Sequence, residues 1–179
     1  MRPVILPIVG GLRPIEVEEL RPIDAEVVYS VEDIYRLDRP QYLSGDPDLY
    51  NSIRYGAMKC LQLYIDRRLP KKKFACSCAA AYGQIECLRL LIANDFPKNE
   101  LACAAAATNN HLDCLQLLIE NNFFKSYKAC AGAAEHGHYE CLRFLIDNKF
   151  PKSKKSRALA RRGRHTKCYQ LLVANGFSS

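Results

Sequence analysis

Five cysteines stand 27 residues apart in this 179-residue chain: Cys60, Cys87, Cys114, Cys141 and Cys168. Around them the chain reads KCLQLYI, ECLRLLI, DCLQLLI, ECLRFLI and KCYQLLV. The register extends upstream to Gly56, Gly83 and Gly137, with Asn110 and Arg164 in the other two copies. Downstream it reaches Leu69, Phe96, Phe123, Phe150 and Phe177, and Pro70, Pro97 and Pro151 follow three of these. A fixed period of this length demands that one small unit recur and that each copy lean on the next.

Each unit reads as two short helices. The first is rich in Ala and Cys, over Phe74 to Tyr82, Leu101 to Asn109 and Lys128 to His136. Gly83 and Gly137 follow, where a left-handed backbone ends a helix at little cost to Gly. The second helix runs from about Ile85 to Asn94. Its Ile85, Leu88, Leu91 and Ile92 share one face, opposite Arg89 and, in the other units, Gln116, Arg143 and Gln170. A lone helix pair cannot bury such a face, whereas stacked pairs can. The expected fold is therefore an all-α solenoid of about five helix-turn-helix repeats over residues 47–179. The units fall near 47–73, 74–100, 101–127, 128–154 and 155–179, behind an extended N-terminal arm at 1–46. The polar DLYNSIRYG from Asp48 and RALARRGR from Arg157 suggest capping units at the two ends.

GQIECLRLLIAND at Gly83 and GHYECLRFLIDNK at Gly137 resemble the second-helix signature of ankyrin repeats. The resemblance covers roughly three quarters of the chain. An ankyrin unit is usually about 33 residues, so each unit here is about six shorter. The family's T-P-L-H signature is replaced by FACS at Phe74, LACA at Leu101 and KACA at Lys128. The Cys-Leu start, the Phe-Pro loop and the short period together resemble a variant repeat abundant in giant DNA viruses of protists. The ankyrin resemblance implies protein binding. The viral one implies a structural component, such as a minor capsid protein in a virion, or a soluble adaptor that captures a host protein.

Charge is divided unevenly along the chain. Residues 1–46 hold five Arg against nine Asp or Glu, a net of −4, while residues 47–179 hold 21 Lys or Arg against ten acids, a net of +11. Arg67, Arg68, Lys71, Lys72 and Lys73 fall in the loop after the first unit. Lys152, Lys154 and Lys155 fall in the loop after the fourth, and Arg161, Arg162 and Arg164 follow on the last unit. In a solenoid, equivalent loops line one edge, so Lys98 and Lys125 join these clusters into a basic ridge. Such a ridge serves either as a solvated edge or as a dock for an acidic partner. Sequence-blind nucleic-acid binding is a third reading, weakened by the lack of interleaved aromatics for base stacking.

The arm carries RPV at Arg2 and RPI at Arg13 and Arg21, and each Pro favours extended chain. Its apolar residues are too many for a free linker: Val4, Ile5, Leu6, Ile8, Val9, Ile15, Val17, Ile23, Val27, Val28 and Tyr29. Ser30 with Asp33 suits the start of a short helix over 31–37. The arm either folds back over the first unit or lies along another protein.

Three H-x-x-C pairs, His111 with Cys114, His138 with Cys141 and His165 with Cys168, place two metal-ligand types on one helix face. Structural zinc closes four ligands, so two per unit favour packing over metal. Disulfides are not expected between units, where equivalent residues sit one repeat apart. A Cys–His nucleophile is disfavoured because the motif recurs, while an active site is normally single. No phosphate loop or paired-carboxylate motif is present. The expectation is a non-catalytic scaffold without cofactor, metal, small-molecule substrate or membrane span, its partners other proteins within a larger assembly. Nine Cys and no convincing signal peptide place it in a reducing, intracellular compartment.

Overall fold

The computed structural model describes residues 48–177, and the arm, with the short helix expected over 31–37, lies outside them. Ten α-helices follow one another in pairs, with no strand among the described residues. The pairs are α1 (Leu49–Arg54) with α2 (Met58–Asp66), α3 (Ala75–Ala81) with α4 (Ile85–Ala93), and α5 (Leu101–Thr108) with α6 (Leu112–Glu120). They continue as α7 (Tyr127–His136) with α8 (Tyr139–Asp147), and α9 (Lys154–Arg162) with α10 (Thr166–Ala174). The 27-residue period is thus a helix pair, and successive pairs stack into the expected solenoid.

The first helices form the tight layer. α5 packs on α3, α7 on α5 and α9 on α7, while the second helices touch their neighbours less. Every residue of α3 and of α5 is buried. Ala and Cys make this possible, because short side chains let two backbones approach with little rotamer entropy to lose. The second helices bury one stripe only. Leu88, Leu91, Leu115, Leu118, Leu142 and Leu145 are fully buried, each worth about 1.5–3 kcal/mol relative to exposure. Arg89, Gln116, Arg143 and Gln170 face water, as their register requires.

Both helices of a pair end in the same way. Gly56, Gly83, Asn110, Gly137 and Arg164 hold positive φ after the first helix. A second series, Arg68, Asp95, Asn122, Lys149 and Gly176, does so after the second. In each case the amide of the very next residue donates to the carbonyl five residues back, as in His111 N to Ala106 O and Phe96 N to Leu91 O. This is the Schellman closure, which satisfies carbonyls the helix leaves open. Glycine has a further use at Gly83 and Gly137. A Cβ there would collide with the rings of His111 and His165, so its absence seats the next unit's histidine.

Helix starts are fixed by residues that the repeat alignment did not single out. Asn99, Ser126 and Ser153 share one register position, and each side chain accepts from backbone N–H groups of the helix that follows. Asn99 goes further. Its Oδ1 takes the Ser77 hydroxyl at 2.5 Å and its Nδ2 donates to Lys73 O at 2.7 Å, joining two units through a buried amide.

The two ends differ. α9 buries only Ser156 and Ala160 and presents a polar outer side, as a cap should. α1 does not fit that reading. Leu49, Tyr50, Ser52 and Ile53 are all buried, because its three large side chains face inward and its polar residues only appear to dominate in the linear sequence.

The closest fit in the tight layer lies between α5 and α7. Gly132 leaves room for Thr108, whose buried hydroxyl has no hydrogen-bond partner among the described residues. A Gly132→Ala substitution should therefore destabilise by about 1–3 kcal/mol through overpacking. Thr108→Ala in the same chain should restore stability to the native level or above it. It removes an unpaired hydroxyl, and Ala gains about 1 kcal/mol over Gly in a helix. Urea unfolding of the two single variants and the double variant measures this, and a neutral Gly132→Ala would refute the packing account.

Candidate interaction surface

The residues with the most reactive chemistry are committed to the interior. Eight of the nine cysteines are buried free thiols, and Cys60 alone is exposed. Burial pushes Cys76, Cys78, Cys103 and Cys130 up to about 12, and Cys114 and Cys141 up to about 11. A thiol so held has almost no thiolate at neutral pH, which the nucleophile and metal readings both require. Among the described residues no three His, Cys, Asp or Glu side chains gather as a metal-binding group.

The histidines of the H-x-x-C pairs tie units together. His138 Nε2 lies 2.9 Å from Thr108 O at the end of the preceding unit's first helix. Gln84, at the same register position, donates from Nε2 to Arg54 O at 3.1 Å. One position thus satisfies an open helix-terminal carbonyl across the unit boundary by either side chain. Desolvation lowers the pKa of His138, with smaller contributions from His136, His165 and His111, and outweighs the carbonyl bond that raises it.

The ridge divides into cations that join units and cations that face water. Lys98 Nζ donates to Asn121 O at 2.6 Å and lies 5.6 Å from the Phe123 ring centre. Lys125 repeats this one unit on, with Asn148 O at 2.7 Å and the Phe150 ring at 5.7 Å. Lys152 lies 5.7 Å from the Phe177 ring. Each ammonium therefore sits at the negative end of the next unit's second helix and over its aromatic stop. The structure brings these lysines to one edge, and it also gives Lys98 and Lys125 a structural partner that the linear sequence does not show.

Arg68, Lys71, Lys73, Lys154, Arg161 and Arg164 are exposed, as are Arg67 and Lys155, while Lys72 is half-buried. Arg162 pairs with Glu135 of the preceding unit. Beside Arg68 and Lys71 runs an open groove of about 540 Å³, floored by Ile65, Leu69 and Phe96. Farther along the same loop edge Phe124 is 60% exposed and Tyr127 37% exposed. Neither was singled out from the sequence. The available signal was Phe124 itself, an aromatic where other units carry Pro70, Pro97 or Pro151. It also corrects the expectation that this edge lacks exposed aromatics. The arm residues Val4, Ile5, Leu6, Ile8, Val9, Ile15, Val17, Ile23, Val27, Val28 and Tyr29 lie outside the described residues.

These features define a helical repeat solenoid with an inert interior and a variable outer edge. A family model for ankyrin repeats, in three copies, matches residues 77–157, and that stretch is built of ankyrin repeats. The crystal structure of the human ASB11 ankyrin repeat domain is similar, with a TM-score of 0.61 and 16% identity, over 73% of this chain and 69% of that one. At that identity the likeness is one of fold. Comparison with curated proteins gives no significant match. Neither likeness supports the narrower viral one. No helix among the described residues is long and apolar enough to cross a membrane.

Two tests follow from these ties. His138 binds a proton less readily in the folded state than in the unfolded one, so its contribution is complete above its ordinary pKa of 6.5. It is lost as the pH falls from there through the lower folded value. Stability should drop over that window, and His138→Gln should flatten the drop while keeping the bond that Gln84 makes. An unchanged pH profile in the variant would refute this. Lys98→Ala should lower unfolding stability by about 0.5–1 kcal/mol, the worth of an exposed cation–ring contact. A Lys98→Ala chain as stable as the native one would make Lys98 a solvated charge only.

Proposed function

We propose that this protein is a non-catalytic docking scaffold that binds another protein along its loop edge. The observation that carries the reading is the pairing of exposed Phe124 and Tyr127 with exposed Lys and Arg on that edge. Interfaces concentrate their binding energy in a few aromatic and Arg anchors, with charge steering the approach. The groove beside Arg68 and Lys71 adds an apolar floor with a basic rim, which suits an acidic segment bearing one or two apolar side chains. The ankyrin repeats at 77–157 agree with this role. The finer readings, a structural part of a viral particle and an adaptor for a host protein, use the same edge and differ in the partner alone.

Sequence-blind nucleic-acid binding draws some support from the same two aromatics. It is the weaker reading, because the Lys98 and Lys125 ammoniums are already held on carbonyls and rings rather than presented to phosphate. Affinity capture with the native chain, with Phe124→Ala and with a Lys71→Glu/Lys73→Glu chain compares the two. A protein partner should be retained by the native chain and lost from both variants. The charge-reversed chain should lose more at low salt than at high salt. Phe124→Ala should weaken binding about tenfold or more, with the melting point nearly unchanged. Equal capture by all three chains would refute the edge as the docking surface. Recovery of nucleic acid in place of protein would establish the other reading.

A further inference from the structure

The loop after the first unit is built differently from the loops that follow it. Lys71 shares its register with Lys98, Lys125 and Lys152. Those three reach into the next unit. Lys98 and Lys125 lie on Asn121 O and Asn148 O, and all three lie over a phenylalanine ring. The matching groups for Lys71 are Asn94 O and the Phe96 ring. Among the described residues no ammonium reaches either one, and Lys71 is exposed instead. Asn94 and Phe96 line the far side of the groove of about 540 Å³, while Lys71 and Arg68 stand on its rim.

A residue specific to unit one accounts for the difference. Tyr64 stands where the later units have Leu91, Leu118, Leu145 and Leu172. Its hydroxyl donates to Pro70 O at 2.7 Å. That bond fixes the carbonyl immediately ahead of Lys71, and a leucine has no donor to make it. The residue after Lys71 departs from the period as well. Lys72 stands in the place of Asn99, Ser126 and Ser153, whose side chains cap the helices that follow them.

We propose that Tyr64 holds Lys71 off the next unit and so keeps open a site for an acidic protein segment. An apolar side chain of the segment rests on Ile65, Leu69 and Phe96, and a neighbouring carboxylate meets Lys71 and Arg68. Asn94 O is then left to accept a backbone N–H of the segment, where Asn121 O and Asn148 O already hold a lysine. Charge favours this occupant. Residues 67–73 hold five cations and no acid, and neither Asp66 nor Asp95 lines the groove. A nucleic-acid backbone would meet the rim and leave the apolar floor uncovered. The inference rests on the reading that this edge docks a protein. It adds the point on the edge that selects an acidic segment and the residue that keeps that point available.

Two measurements on the full chain test it. Brief labelling with acetic anhydride, read by tandem mass spectrometry of peptides, compares the lysines. In the native chain Lys71 should react at least about threefold faster than Lys98 or Lys125, because a held amine must be released first. In a Y64F chain, which keeps the ring and loses the hydroxyl, Lys71 should slow to the rate of Lys98. Unfolding curves check that this variant folds, and the native comparison needs no variant. Second, a random peptide display library is selected on the native chain, and the affinity of the enriched peptides is measured by fluorescence anisotropy. They should carry an apolar residue beside Asp or Glu and bind the Y64F chain about tenfold more weakly. Equal labelling of Lys71, Lys98 and Lys125, unchanged Lys71 labelling in Y64F, enriched peptides without an acid, or no enrichment overturns the proposal. Peptides that bind the native and Y64F chains alike but are lost from Phe124→Ala also overturn it, and leave the edge as a docking surface. A short oligothymidylate held by the native chain and lost from Y64F assigns the groove to nucleic acid and overturns the acidic segment.

Discussion

The close approach of the first helices is the constraint on which the rest depends. α3, α5 and α7 are lined almost wholly by Ala, Cys, Gly, Ser and Thr on their buried sides. Layers this tight leave no room for a larger side chain, so each substitution needs an answer in the neighbouring helix. Thr108 and Gly132 are such a pair. The leucines of the second helices close the outer side.

A solenoid has no long-range core, so its units must be joined locally. Here three polar devices do so, each at one or two of the boundaries. A His or Gln reaches back to a helix-terminal carbonyl, Asn99 bridges two units through its amide, and Lys98 and Lys125 reach forward to the next unit's C-terminal carbonyls. Each satisfies a backbone group that a short helix leaves open, and short helices have many such groups relative to their length. The apparent chemistry of the Cys and His is consumed in this way. Thiols held far above neutrality and a desolvated imidazole are the properties of a packed interior.

What is left for function is the surface that does not repeat. The register fixes Leu, Cys, Ala and Phe from unit to unit, while the loop edge varies in its Lys, Pro and aromatic content. Phe124 in place of a proline is a departure from the period rather than a part of it. Departures are where a repeat surface acquires a specific partner, because only they distinguish one point along the stack from another.

The sequence by itself determined the helix pairs, their number and their stacking, because a 27-residue period with leucines at helical spacing has one way to bury them. It also marked the left-handed stops at Gly83 and Gly137, where the residue type carries the conformation. It did not mark the second series at Arg68, Asp95, Asn122 and Lys149, whose side chains do not announce a left-handed backbone. Nor did it tell the lysines of the ridge apart. Lys98 and Lys73 look alike in the chain, but one rests on the carbonyl and ring of the next unit and the other on the Phe74 ring beside it. Only stacking brings residues 23 apart within hydrogen-bonding distance, so only the tertiary structure decides which charges join units and which face water. The exposure of Cys60 beside four buried counterparts is of the same kind, since it depends on what lies across a boundary that no single unit contains.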